Sequence, residues 1–200
     1  MREGLPYVLA GDLATTSGFA EGYPGDVPKF STQHWGGEND SHLKICSRAL
    51  GFIAQRLADD STDDRPDVLC IERPMPMGAA IHGKSNAKSI IRLNTIYGII
   101  GAAAICKGIK VIEVDVQQAR VVFIGDGKLE RNEAKRRAKG MCRVLGWPCR
   151  NVDEADAASI WHFGCSVVAP RKAVIIHPGM HKKLASTLSN MQIKELFAHG

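Results

Sequence analysis

Nowhere in this sequence do two cysteines stand as Cys-x-x-Cys; the six, Cys46, Cys70, Cys106, Cys142, Cys149 and Cys165, are dispersed, several inside apolar segments. That spacing argues against a zinc site or a disulfide framework, and for free thiols used as small buried hydrophobes. Uninterrupted apolar runs of the roughly 18 residues that a membrane span needs are missing as well, so no membrane partner is expected. The opening Met1-Arg2-Glu3-Gly4-Leu5-Pro6 has neither the apolar stretch nor the small-residue cleavage site of an export signal, and a cytoplasmic location is the expectation. Internal repeats and low-complexity tracts are lacking too. What is present is a hydrophobic fraction of 44% with charges of both signs, which excludes a disordered or fibrous chain. Two hundred residues suit one domain with a real core. The net charge of +5 is compatible with a polyanionic partner, and where that charge sits matters more than its sum.

The spacing of apolar residues predicts a meander of three short strands near residues 6–13, 17–22 and 29–35, with Gly and Pro between them. Helical spacing of Leu43, Ile45, Cys46, Leu50, Ile53, Ala54 and Leu57 predicts a crossover helix over 41–57. The run Val68-Leu69-Cys70-Ile71 ending in Glu72 reads as a strand buried on both faces, stopped by Pro74 and Pro76. A long helix over 85–107 and a strand over 109–114 complete a strand-helix-strand unit that should be parallel and right-handed. Further helices are expected near 116–123, 130–145 and 152–166. The fold class is therefore α/β: a mixed five-stranded sheet, three antiparallel strands then two parallel, flanked by helices. Residues 1–169 form the expected domain, and residues 170–200 a basic tail with one short helix.

Carboxylates carry chemistry where a solvated charge is not expected. Asp12 closes an apolar strand, and Glu72 closes another; the carboxyl ends of adjacent strands in an α/β sheet form the usual crevice. If the first and fourth strands are neighbours, the two meet there. In Asn151-Val152-Asp153-Glu154-Ala155-Asp156, Asn151 suits an N-cap and Glu154 completes a capping box, leaving Asp153 and Asp156 on one helix face aimed at one target. Four carboxylates in one crevice repel unless a cation neutralises them, and a hard, oxygen-preferring ion is the simplest resolution. Two magnesium ions fit, activating water on one side of a phosphodiester and stabilising the leaving oxygen on the other. Taken singly, Asp12 reads equally well as a turn residue, Glu72 as a strand-end charge, and Asp153 with Asp156 as partners of a helix N-terminus.

The ordered set of Asp12 on the first strand, Glu72 after a buried strand and Asp-x-x-Asp-Ala at 153–157 resembles the RuvC class of Holliday-junction resolvases, within the ribonuclease H-like superfamily. The likeness spans about residues 6–164. It takes in Arg92-Leu93-Asn94 with Tyr97-Gly98, and Val121-Val122-Phe123-Ile124-Gly125-x-Gly127 before a basic helix. It implies a ribonuclease H-like fold, a homodimer, Mg²⁺ dependence with two ions per site and Mn²⁺ as a substitute, and paired nicks in four-way DNA junctions. Asp12, Glu72, Asp153 and Asp156 fall on the family's metal-binding carboxylates. Met75 stands where the family often carries an aromatic wedge, and the spacing after Gly127 leaves Lys128 and Lys135 as rival candidates for the catalytic-helix lysine. The sequence is closer in character to phage members than to the bacterial housekeeping enzyme.

Lys128, Arg131, Lys135, Arg136, Arg137, Lys139 and Arg143 cluster on one predicted helix against only Glu130 and Glu133, more positive charge than salt bridges need. Phosphate contacts are expected there, and also from Arg73, Met75, Lys84 and Lys88 in and beside the loop that leaves Glu72. His82 in that loop is a weaker candidate for a proton shuttle than for an ordinary exposed histidine. The helix around 90–105 is apolar almost all round, which fits either double burial or a face shared with a second subunit. Three other readings remain beside the resolvase. A broader branched-DNA debranching nuclease shares every motif, and a non-catalytic DNA-binding module of the same fold is a different class. A sugar kinase of the actin-like kind, suggested by the Gly11-Asp12-Leu13-Ala14-Thr15-Thr16-Ser17 segment, needs two lobes that 200 residues do not supply.

Overall fold

The computed structural model describes residues 4–58, 65–74 and 87–174. Its elements are β1 (Val8–Asp12), β2 (Thr16–Gly22), β3 (Lys29–His34), α1 (His42–Arg56), β4 (Val68–Glu72), α2 (Ala87–Cys106), β5 (Lys110–Val114), α3 (Val116–Ile124), α4 (Arg131–Val144) and α5 (Val152–Val168). The sheet order is β3-β2-β1-β4-β5. β1 pairs antiparallel with β2 and β2 antiparallel with β3, whereas β4 lies parallel to both β1 and β5. The expected mixed sheet is thus the observed one, and β1 and β4 are direct neighbours.

The apolar runs of β1 and β4 reflect burial on both faces. Val8, Ala10, Val68, Cys70, Ile112 and Val114 face a core shared with α3, α4 and α5. Leu9, Leu69 and Ile71 face the opposite core, made with Ile45, Ala49 and Ile53 of α1 and Ile96, Ile100 and Ala104 of α2. α5 crosses the middle of the first face and is buried along residues 154–166. It seats there because Gly164 presents no side chain to Cys70, where any Cβ would collide with the thiol sulfur. Trp161 anchors it further, its indole N–H donating to the Val8 carbonyl at 3.2 Å.

Three of the cysteines, Cys70, Cys142 and Cys165, are buried as expected; Cys46 and Cys149 are half-buried and Cys106 is exposed, and all six are free thiols. α2 is not doubly buried. Ile90, Ile96, Ile100 and Ala104 pack inward while Ile91 and Ile105 are 50% and 64% exposed. By length and composition alone this 20-residue helix could cross a membrane, but its inward face belongs to the core beneath β1 and β4. The first residues of the expected tail stay with the domain: the Val174 carbonyl lies 2.8 Å from His162 Nε2, and Ala173 is buried.

Candidate active site

β1 and β4 run side by side with Gly11 opposite Ile71, so their next residues, Asp12 and Glu72, leave the sheet together at its carboxyl edge. Their side chains are close enough for each to act on the other's titration. Two carboxylates so placed repel unless a proton or a cation stands between them. Burial, followed by the charges of Asp156 and Glu72, pushes the Asp12 carboxyl well above its ordinary value. Burial also raises Glu72, against the pull of Arg120 and Arg131. The turn after Asp12 is tied by Ser17, whose hydroxyl accepts the Ala14 N–H at 3.0 Å and the Trp35 indole N–H at 2.6 Å.

The second pair of carboxylates arrives on the first turns of α5. Asn151 caps the helix, its side-chain oxygen accepting from the Glu154 N–H at 2.9 Å. The capping box expected of Glu154 takes another form. Its buried carboxylate accepts the backbone N–H of Arg150 at 2.6 Å, the Arg150 guanidinium at 2.6 Å and the Thr32 hydroxyl at 3.0 Å. Glu154 therefore moors α5 to β3. Asp153 and Asp156 turn instead toward Lys135 of α4, whose Nζ lies 3.2 Å from Asp153 Oδ1 and 3.3 Å from Asp156 Oδ2. Burial raises the Asp156 carboxyl, while Lys135 and Arg120 draw it back. Burial disfavours the Lys135 charge, but Asp156, Asp153 and Asp12 outweigh it and hold the ammonium protonated.

The rival lysines thus stand apart: Lys135 lies among the carboxylates, and Lys128 is exposed on the loop before α4. Arg136 is exposed and gives a two-pronged bond to Glu133, at 2.8 and 2.7 Å, so part of its charge is already matched. Arg73 is exposed beside Glu72 and pairs with Glu113 at 3.2 Å. Lys88 is exposed at the start of α2 and donates to the Glu38 carbonyl. Met75, His82 and Lys84 lie outside the described residues, as do residues 175–200 of the expected tail.

One site residue, Arg120, is absent from the sequence reading, and a second, Arg131, stands there only as part of the basic helix face. The charge of Arg120 acts on both Glu72 and Asp156, and that of Arg131 acts on Glu72. Arg120 Nε is buried and has no hydrogen-bond partner among the described residues. A signal existed, because Arg120 is the single charged residue in the otherwise uncharged α3. A lone cation there is costly unless something anionic faces it.

Among the described residues no three His, Cys, Asp or Glu side chains stand ready to hold a metal ion as they are. Lys135 takes one oxygen from each of Asp153 and Asp156, and Asp12 and Glu72 close on each other. The chemistry of the donor set nonetheless fits a hard divalent cation. It offers carboxylate oxygens only, and burial raises three of the four carboxyls, which favours any cation that neutralises them.

No protein-family model matches the sequence, and no curated protein is significantly similar to it. Solved structures do match in fold. A Thermus thermophilus RuvC structure aligns with a TM-score of 0.58 at 16% identity, over 82% of this chain and 95% of that one. T. thermophilus RuvC in complex with Holliday junction substrate aligns with a TM-score of 0.61 at 16% identity, over 83% of this chain and 95% of that one. The yeast mitochondrial Holliday junction resolvase aligns with a TM-score of 0.51 at 12% identity, over 95% of this chain and 84% of that one.

Proposed function

We propose that this RuvC-like fold houses a metal-dependent, structure-selective DNA endonuclease that resolves four-way junctions by paired nicks. The observation that carries the reading is the meeting of Asp12, Glu72, Asp153 and Asp156 around Lys135 at the carboxyl edge of β1 and β4. The similar proteins seen with, or named for, Holliday junctions support a branched-DNA substrate. The four carboxylates would hold two Mg²⁺ ions, with Mn²⁺ able to substitute. When bound, such a pair supplies an activated water on one side of a phosphodiester and stabilises the leaving oxygen on the other.

The chain's own residues do the rest. Asp12 and Glu72, side by side at the ends of adjacent strands, would both serve as ligands. Arg120, with its Nε unengaged, and Arg131 at the head of α4 are set to grip the phosphate entering the cluster. Lys128, Arg136, Lys88 and Arg73 are exposed and would hold DNA phosphates, giving affinity that falls steeply with salt. Met75 and Lys84, in the segment that follows β4, belong to the same proposed DNA contact.

Paired nicks need two sites, and the exposed Ile91 and Ile105 on α2 give a face for a second copy. Light scattering at micromolar concentration is expected to give the mass of a dimer, and a clean monomer would oppose the paired-nick reading. Methionine at position 75 in place of an aromatic wedge favours a second reading, a debranching nuclease that cuts several branched structures. Cleavage of labelled four-way junction, fork, flap and linear duplex, with and without Mg²⁺, separates the two. Symmetric nicks in the junction alone support the resolvase, whereas cutting of every branched substrate supports debranching.

A further inference from the structure

Lys135, the candidate catalytic-helix lysine that reaches the carboxylates, has no role in the steps described above. α4 packs on α5 through small residues, with Ala134, Ala138 and Cys142 buried, and this close seating carries the Lys135 stem over the first turns of α5. The side chain is 19% exposed, far less than a free surface lysine, so its ammonium is placed rather than wandering. One nitrogen is almost equidistant from two carboxylates, at 3.2 and 3.3 Å, and takes one oxygen from each. That is the position a bridging cation occupies. Asp12 lies within reach of the same charge.

We propose that Lys135 is an internal counter-cation that competes with divalent metal for the Asp153 and Asp156 oxygens, so that metal binds only as the ammonium leaves. The inference rests on the metal-site reading of the preceding subsection. Four half-buried and buried carboxylates repel one another, and without a cation among them the start of α5 would be pushed off the strand ends. The ammonium offsets that repulsion and keeps the site assembled before metal arrives. It also obstructs loading, because a divalent ion bound by these oxygens would stand beside a like charge in a site with little water to screen it. Lysine suits such a part better than arginine. Its charge is compact and sits on a flexible four-carbon stem, whereas a planar guanidinium would clamp a carboxylate with two parallel bonds. The consequence is a metal threshold written into the chain itself.

The test is Mg²⁺ binding to the whole, DNA-free protein by titration calorimetry, with thermal melting in parallel. Lys135→Met is expected to bind Mg²⁺ at least tenfold more tightly than the wild type. Its metal-free melting temperature should fall below the wild type's and recover as Mg²⁺ is added. Lys139→Met, which removes the same charge one turn further along α4, should change Mg²⁺ affinity less than twofold. A merely structural lysine would give weaker binding on removal, so the sign of the change decides. Lys135→Gln, which keeps a donor and loses the charge, takes the place of Lys135→Met if that variant does not fold. Mg²⁺ affinity equal to or below the wild type's in both variants overturns the proposal. If the wild type binds Mg²⁺, Asp156→Asn does not, and Lys135→Met is unchanged, only the competition fails. If no variant and no wild type binds divalent metal, the metal-site reading falls with it.

Discussion

Gly18 of β2 lies directly beneath Asp153, so close that a Cβ at position 18 would collide with the Asp153 carbonyl and stand 2.7 Å from the Glu154 nitrogen. Both obstacles are backbone, so no rotamer change relieves them. The missing side chain on a strand is what lets the first turn of α5, with its two aspartates, reach the edge where Asp12 and Glu72 emerge.

Gly18→Ala is therefore expected to force α5 outward, costing about 1–3 kcal/mol as overpacking does and separating Asp153 from its partners. Urea unfolding reads the stability, and junction cleavage reads the displacement. A variant as stable and as active as the wild type would show that the contact is not needed.

Glu154 gives a pH signature distinct from catalysis. Burial opposes its charge, but Arg150 through its guanidinium and backbone N–H, together with Thr32, holds the carboxyl below its ordinary value. A lowered folded value contributes stability that is complete above the ordinary glutamate range and is lost as pH falls through the folded value. Glu154→Gln should lose about 1–3 kcal/mol at neutral pH, the scale of a removed bond to a charged group. Its deficit against the wild type should shrink on acidification. A deficit independent of pH would mean that the carboxylate charge is not what moors α5.

Arg120→Met should fold and bind a junction, yet cut about a hundredfold more slowly or worse, the scale seen when one preorganised donor to a developing charge is removed. Single-turnover cleavage with saturating protein separates rate from binding, and an unchanged rate would remove Arg120 from the chemistry. Arg120→Lys is expected to recover part of the loss.

Much of this arrangement is legible in the chain. β1 and β4 announce themselves because strands buried on both faces need unbroken apolar runs, and a carboxylate closing such a run has few structural reasons to be there. Asn151 likewise marks the start of α5 as a cap. Side chains that meet across elements are harder to foresee. Lys128 and Lys135 are equivalent in sequence, and only the seating of α4 on α5 decides which enters the cluster. Arg120 hid in a short helix read for its apolar packing, and its partners lie about 50 and 40 residues away along the chain at Glu72 and Asp156. Glu154 shows the same limit from the other side. Its place beside the cap could be anticipated from spacing, but it accepts from the Arg150 N–H instead of the Asn151 N–H, and its bond to Thr32 depends on β3 reaching the start of α5. The apolar pattern of α2 does not tell which residues are buried, and only the packing of the core leaves Ile91 and Ile105 outside it.

The carboxyl pair at the strand ends either performs chemistry or merely terminates strands. Asp12→Asn decides it most directly, because the change keeps the size of the side chain and its capacity to bond Glu72 while removing a charge that repels phosphate. Measured side by side on a four-way junction with Mg²⁺, the variant should lose cleavage altogether and bind as tightly as the wild type or more so. Cleavage at the wild-type rate by a folded Asp12→Asn protein would contradict the account.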